Sequence, residues 1–392
     1  MHQKIDLLLI ARPDHSYRLY QKLLQSDILF LYYSFKLFPL WIKKIIKNPR
    51  IRYYSSNYSS CLLTSIVHIA RIKFGKGNWK RFEKPTMEFH LWYSLPKGGA
   101  RLIHYWPNFC IDSIIKYKEK HPNVKTCAEV FFPNERWVLD HIRPLLIQSG
   151  LPDNSMEGIE RDARNLDKIM NFEDNFFVPS RFVADTYREY YPDKNYIIVP
   201  YGITKWKNYR KKIEKKSSSE IRSFVYVGTI SLEKGCDILL NYFIDHDQLT
   251  LHLYGNISST QRQFFEKYKA VRNVFFHGSV PKTQIQQIIS VYDVGIHLSR
   301  YDAYSLAVGE IIGAGLPVIV SENTGNSDDV TANNLGIVTS LDPMNVKDNI
   351  ERMLNNSIYN YYLNAIDNYL SKTHYSYESQ MIIEYKKLLN NE

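Results

Sequence analysis

Cysteine is scarce and scattered in this sequence. Cys61, Cys110, Cys127 and Cys236 are spread over 392 residues with no C-x-x-C spacing. That argues against a thiolate zinc site and a disulfide framework, and it suits a reducing cytosol. Long apolar runs are missing too. No stretch of about 18 uncharged apolar residues occurs, so no membrane-spanning helix is expected. The opening "MHQKIDLLLIARPD" has an apolar run too short for a span and no small-residue cleavage site, so it reads as a first strand rather than a leader. Low-complexity tracts and repeats at solenoid periods are not evident either.

What is present bounds the fold. Hydrophobic residues make up 44%, enough for sizeable cores. The length suits two domains of roughly 150–200 residues. The net charge of +10 favours polyanionic partners: nucleotide phosphates, acidic lipid or nucleic acid. Over the second half, "SFVYVG", "LTLHLYG", "VFFHG", "VGIHLS", "PVIVS" and "GIVTS" read as strands, most of them followed by helical segments. Strand–helix alternation with short loops implies a parallel sheet with helices on both faces. Ligands of such sheets bind beyond the strand carboxyl ends, here after Gly228, Gly255, Gly278, Ser299 and Ser321. In the first half "KIDLLLIA", "DILFLYY", "ARLIHYW", "NVKTCAEVFF" and "NFFVPS" suggest the same pattern. The basic, serine-rich run 199–220 lacks apolar periodicity and reads as the linker, and "YESQMIIEYKKLLNNE" reads as an amphipathic terminal helix.

Two stretches carry candidate chemistry. "VGTISLEKG" (227–235) lies between a strand and a helix. Its glycines permit tight turns, and a helix start with Lys234 attracts anions, so it reads as a diphosphate cradle or as a loop with a solvated lysine. "SRYDAYSLAVGEIIGAGLPVIVS" (299–321) holds Asp302 and Glu310. With a helix beginning near Ala303, eight helical residues rise about 12 Å. Carboxylates sharing one glycosidic bond lie about 5–9.5 Å apart. The two acids therefore suit two ends of an extended ligand, or else an N-cap aspartate and a solvated glutamate. Val308, Ile311 and Ile312 bring Glu310 near the packed side, where an acid needs a partner.

The order of motifs across 177–340 resembles the nucleotide-sugar half of GT-B glycosyltransferases of the retaining family-4 type. "FVPSRFVADTYREYYPDKNYIIVPYGI", "FVYVGTISLEKGCDILL", "LHLYG", "VFFHGSVPKTQIQQIISVYDVGIHLS" and "SRYDAYSLAVGEIIGAGLPVIVSENTG" follow one another at the family's spacing. The resemblance implies two Rossmann-like α/β domains facing across a cleft. Residues 1–200 would bind the acceptor and 201–370 the donor, with 371–392 a terminal helix returning to the first domain. It implies a hexosyltransferase-type enzyme that moves a sugar from a nucleotide donor to an acceptor hydroxyl, with no metal or other cofactor. Catalytic roles would fall to Asp302, Glu310 and Lys234; Glu129, near the place where relatives often carry a histidine, is a further catalytic candidate or else a structural acid. Glu310 would hold the ribose hydroxyls, Asp302 would lie near the donor sugar and Lys234 would neutralise the diphosphate. Gly228, Thr229, Ser299, Arg300, Tyr304, Ser305 and Leu306 would surround the phosphates, and His277 to Val280 the base. Arg12, His104 and Glu129 would line the acceptor side. The chain departs from the family's pattern at several points. Asp302 stands where a glutamate is usual, Ala303 and Ser305 replace loop glycines, Thr229 stands where a basic residue is common, and 127–137 has no histidine.

Other features are weighed beside these. "DHD" (245–247) mimics a metal-binding acid pair but falls at the amino ends of strands, the wrong side of the sheet. His104 ends a strand and either faces the cleft or packs among aromatics. The segment 34–54 carries Lys36, Lys43, Lys44, Lys47, Arg50 and Arg52 with no acid, interleaved with Phe35, Phe38, Trp41 and isoleucines. It suits an anionic membrane surface or a solvated basic face. No nucleic-acid motif occurs. The expected protein is cytoplasmic or peripheral at the inner membrane face, takes a glycan or lipid-linked acceptor, and works in bacterial surface polysaccharide assembly. A non-catalytic nucleotide-binding partner and a sugar-nucleotide epimerase are the competing readings.

Overall fold

The computed structural model describes residues 5–11, 13–34, 38–39, 53–54, 58–60, 91–92, 95–151, 156–203, 206, 221–372 and 376–390. The first half builds strands β1 (Ile5–Ile10), β2 (Phe30–Ser34), β3 (Phe38–Pro39), β4 (Tyr53–Tyr54), β5 (Tyr58–Ser60), β6 (Ala100–Tyr105), β7 (Lys125–Glu129), β8 (Asn175–Val178) and β9 (Asn195–Ile198). Seven of them form one sheet in the order β5-β2-β1-β6-β7-β8-β9, and β3 pairs with β4 apart from it. The second half builds β10 (Ser223–Val227), β11 (Thr250–Tyr254), β12 (Val274–Gly278), β13 (Val294–His297), β14 (Val318–Ser321) and β15 (Gly336–Thr339). Their order is β12-β11-β10-β13-β14-β15. All described pairings are parallel.

The sequence explains these layers. β13 and β14 are buried at every residue, as strands covered on both faces must be. The order reverses between β1 and β6 in the first sheet, and between β10 and β13 in the second. The loops leaving β10 and β13 therefore diverge and open a crevice, which is where open α/β sheets hold ligands.

Helix placement joins the two halves. Helix Asn356–Ser371 buries Tyr359 and Ile366 in the cores of the second sheet. Helix Tyr377–Asn390 buries Met381, Tyr385 and Leu389 against Leu7, Leu9 and Tyr20 of the first half. Val138, Ile142 and Leu146 of the first half enter the second sheet's core beside Leu232 and Leu239. The helix after β13 starts at Leu306, not near Ala303. Its N-cap is Ser305, whose hydroxyl accepts from the Val308 N–H at 3.4 Å. The reading of Asp302 as the N-cap is thereby corrected.

Candidate active site

The loop leaving β10 carries Lys234 and then turns through Gly235 at φ 64°. A Cβ on Gly235 would lie 1.8 Å from the Leu298 carbonyl oxygen. The glycine thus lets this loop touch the backbone leaving β13, across the switch point. Tyr226 is fully buried below, and its hydroxyl donates to the Thr229 carbonyl at 2.7 Å.

The loop leaving β13 is held from both halves of the chain. The Asp302 N–H donates to the Asn323 carbonyl at 3.0 Å, and the Gly325 N–H to the Asp302 carbonyl at 2.8 Å. This bridge leaves Asp302 in extended backbone ahead of the helix. The Ser180 hydroxyl of the first half donates to the Ala303 carbonyl at 2.8 Å. Tyr301 packs edge-on against Phe132, and Tyr304 against Tyr201, with centroids 5.7 and 5.6 Å apart. The acid-bearing loop is therefore part of the contact between the halves.

Lys234 and Asp302 meet here. Lys234 Nζ donates to Asp302 Oδ2 at 2.7 Å, and His297 Nε2 lies 3.2 Å from the same oxygen. Burial opposes ionisation of Asp302, but the hydrogen bond from His297 and the Lys234 charge outweigh it and hold the carboxyl well below the usual range. Lys234 remains about one-third exposed, so its ammonium reaches the crevice while anchored on the acid.

The remaining donor-side residues divide into two groups. Thr229 and Leu306 are exposed, and Gly228, Glu310 and Val280 are half-buried. His277 is exposed at the end of β12, stacked on Tyr254 with centroids 4.4 Å apart and 3.0 Å from His252 Nδ1. The second group makes bonds that hold the loop itself. Ser299 is fully buried and its hydroxyl donates to the Tyr301 carbonyl. The Ser305 N–H donates to Asn326 Oδ1 at 2.7 Å, and the Tyr304 hydroxyl to Asp329 at 2.7 Å. Arg300 is buried and forks onto both Asp237 oxygens at 2.7 Å, with further bonds to the Leu232 carbonyl and Ser149.

The acceptor-side expectations also change. His104 is fully buried, not facing the cleft, and its Nδ1 lies 2.6 Å from the Tyr385 hydroxyl. Glu129 accepts from Trp106 Nε1 at 2.6 Å and from the Tyr377 hydroxyl at 2.8 Å, with His104 Nε2 at 3.2 Å. Burial opposes its ionisation, yet His104 and these donors hold its carboxyl below the usual range. Both oxygens have interior partners, so Glu129 ties the terminal helix to the sheet. Arg12 lies outside the described residues, as does the basic face of 34–54. Among the described residues no helix is long and apolar enough to cross a membrane, and no group of three His, Cys, Asp or Glu is placed to hold a metal ion.

Sequence reasoning passed over His297, Asp237, Asn326 and Ser180. A usable signal existed only for His297: it ends a strand that flanks the switch point.

Two Rossmann-like parallel sheets that meet at the acid-bearing loop, with a lysine–aspartate pair at the second switch point, make up the fold of the GT-B glycosyltransferases. Residues 207–369 match the family model described as glycosyl transferases group 1. Among solved structures it is similar to sucrose-phosphate synthase from Thermosynechococcus elongatus, at 15% identity over 100% of both chains, TM-score 0.62. It is also similar to Anabaena HepE in complex with UDP and glucose, at 11% identity over 98% of this chain and 99% of that one, TM-score 0.58. A third is the lipopolysaccharide outer core galactosyltransferase WaaB, at 14% identity over 99% and 98%, TM-score 0.58. A sequence comparison with curated proteins gives no match.

Proposed function

We propose that the protein moves a sugar from a nucleotide-sugar donor to an acceptor hydroxyl with retention, in the assembly of a bacterial surface polysaccharide such as O-antigen, capsule or lipopolysaccharide. The observation that carries this reading is the Lys234–Asp302 contact at 2.7 Å between the loops of the second switch point. An ammonium has three donors, and the Asp302 contact uses one. The others are available to a diphosphate. The positive end of helix Leu306–Gly313 adds to the same field. Asp302 lies near the donor sugar, and Glu310, on that helix, holds the ribose hydroxyls. The acceptor oxygen bonds to the anomeric carbon as the bond to the diphosphate oxygen breaks. The diphosphate leaves with the electron pair, and the acceptor's proton passes to a phosphate oxygen. Lys234 stabilises the charge that develops there. The reading needs no metal. It places the protein in the cytoplasm at the inner membrane face, with 34–54 toward anionic lipid and a glycan or lipid-linked acceptor. Failure to pellet with anionic vesicles at low salt would remove that placement alone.

The test is a thermal-shift screen of UDP, GDP, ADP and their sugars, followed by transfer assays. The similarity to HepE, solved with UDP and glucose, makes UDP the first probe. A ligand at a hundred times its Kd stabilises the native state by about 2.7 kcal/mol. Lys234→Ala and Glu310→Ala are expected to lose both the shift and transfer. If neither variant changes transfer, the reading is wrong. Binding without release of nucleoside diphosphate would favour the non-catalytic partner.

A further inference from the structure

The Asp302 carboxylate is held by two groups of different kind. Lys234 is partly exposed and, on the reading above, faces a diphosphate. His297 is 3% exposed and cannot reach a ligand. Its ring lies parallel to Tyr226, with centroids 5.6 Å apart and planes 7° apart. Tyr226 in turn hydrogen-bonds the Thr229 carbonyl of the other site loop. One buried aromatic pair thus braces both loops of the crevice, at the strands flanking the switch point.

We propose that His297 is a positioning residue that keeps the Asp302 carboxylate in place while Lys234 is drawn toward the donor diphosphate. The argument follows from donors and burial. Asp302 sits in a loop anchored by the strand-like bridge to Thr324, so its backbone is fixed but its side chain needs a partner. A diphosphate competes with Asp302 for Lys234, since both are anionic. His297 is inaccessible to that competition. Its Nε2–H, donated to Oδ2, persists through the cycle and prevents the carboxylate from swinging with the lysine. The groups facing Asp302 are Lys234, His297, Tyr226 and Tyr301. Burial drives both tyrosines far above the ordinary range, so they stay neutral beside the acid.

The kinetic part of the test rests on the proposed glycosyl transfer, so an activity-independent readout is paired with it. In the ligand-free full-length protein with 13C-labelled aspartate carboxyls, the Asp302 signal is assigned through Asp302→Asn. Its titration is compared in His297→Phe, which removes the donor, and His297→Gln, which keeps an N–H at similar reach. The Asp302 midpoint is expected to rise in His297→Phe and to return toward wild type in His297→Gln. Where transfer is measurable, His297→Phe should lower kcat about ten- to a hundredfold with a smaller change in KM, the factor one hydrogen bond to a charged group carries. The effect should vanish in an Asp302→Asn background. An Asp302 midpoint unmoved in His297→Phe, or kinetic losses that add in the double variant, overturns the inference. Absence of turnover in the wild type with every nucleotide-sugar overturns the functional reading instead and leaves the titration result to decide the role of His297.

Discussion

Arg300 offers the sharpest test of how the donor loop is built. By residue type it is a cation beside a phosphate loop; by geometry it points inward. Its guanidinium meets both Asp237 oxygens at 2.7 Å, and the two side chains are 7% and 10% exposed. Removing one partner of such a pair leaves an uncompensated buried charge, at a cost of about 3–5 kcal/mol. A domain of this size loses about 2–4 °C of Tm per kcal/mol, so Arg300→Met should melt about 6–20 °C below wild type. The loss should be steeper than the weakening of nucleotide binding at temperatures where the variant is folded. Replacing both partners by apolar groups is often nearly neutral. Arg300→Met/Asp237→Leu should therefore recover more than half of the stability lost in the single variant. Urea unfolding by tryptophan fluorescence and calorimetry reads both quantities. If Arg300→Met melts with the wild type but no longer binds UDP, the arginine serves the donor and the structural argument fails.

Gly325→Ala tests the bridge that holds Asp302. A Cβ there would lie 1.9 Å from the Ala303 carbonyl oxygen and 2.7 Å from Ser180 Oγ, so it should cost about 1–3 kcal/mol or more and depress transfer. Gly158→Ala, on an open helix position with nothing within 4 Å, is the matched control and should be neutral or stabilising in calorimetry. Glu135 tests a titration of known sign. Burial raises its carboxyl to about 7, while an unfolded glutamate titrates at about 4.3. The unfolded state then releases its proton first, so this group's contribution to stability is present below about pH 4 and is lost as pH rises to about 7. Glu135→Gln should gain on wild type in urea unfolding at pH 8 relative to pH 5; an equal gap at both pH values refutes the assignment.

The second sheet was legible because its strands are short apolar runs, buried at every residue in β13 and β14 as a doubly covered parallel sheet requires. "SFVYVG" through "GIVTS" fall on β10 to β15. β9 was passed over although "YIIV" is an apolar run: it leads straight into "VPYGI" at the expected linker, and Asn195 and Ile198 at its ends are exposed. The helix start was misplaced for a tertiary reason. "AYSL" contains nothing that forbids a helix, but the bridge to Thr324 pulls Asp302 into extended backbone, and Ser305 then becomes the cap. Lys234 and Asp302 were each named, yet their contact spans 68 residues and closes only through the sheet.

The residues that sequence reading missed share one physical cause. Local pattern reports whether a side chain is apolar, charged or helix-favouring, but not which way a buried polar group turns. Asp237 looks like a first-turn acid favoured by the helix dipole, and it does occupy that turn. Only the fold shows that it also answers Arg300. His297 looks like filler in a buried strand, because "VGIH" is otherwise apolar and period-two alternation is absent from a doubly covered sheet. Topology supplies what pattern cannot. In a 3-2-1-4-5-6 sheet the last residues of the first and fourth strands lie under the two loops that open the crevice. Here those positions carry Val227, following Tyr226, and His297, and the ring pair they create sits beneath Thr229 on one side and Asp302 on the other. A polar ring at such a position has few ways to satisfy its nitrogen other than through a site loop, which is why strand order, rather than composition, is the signal that finds it.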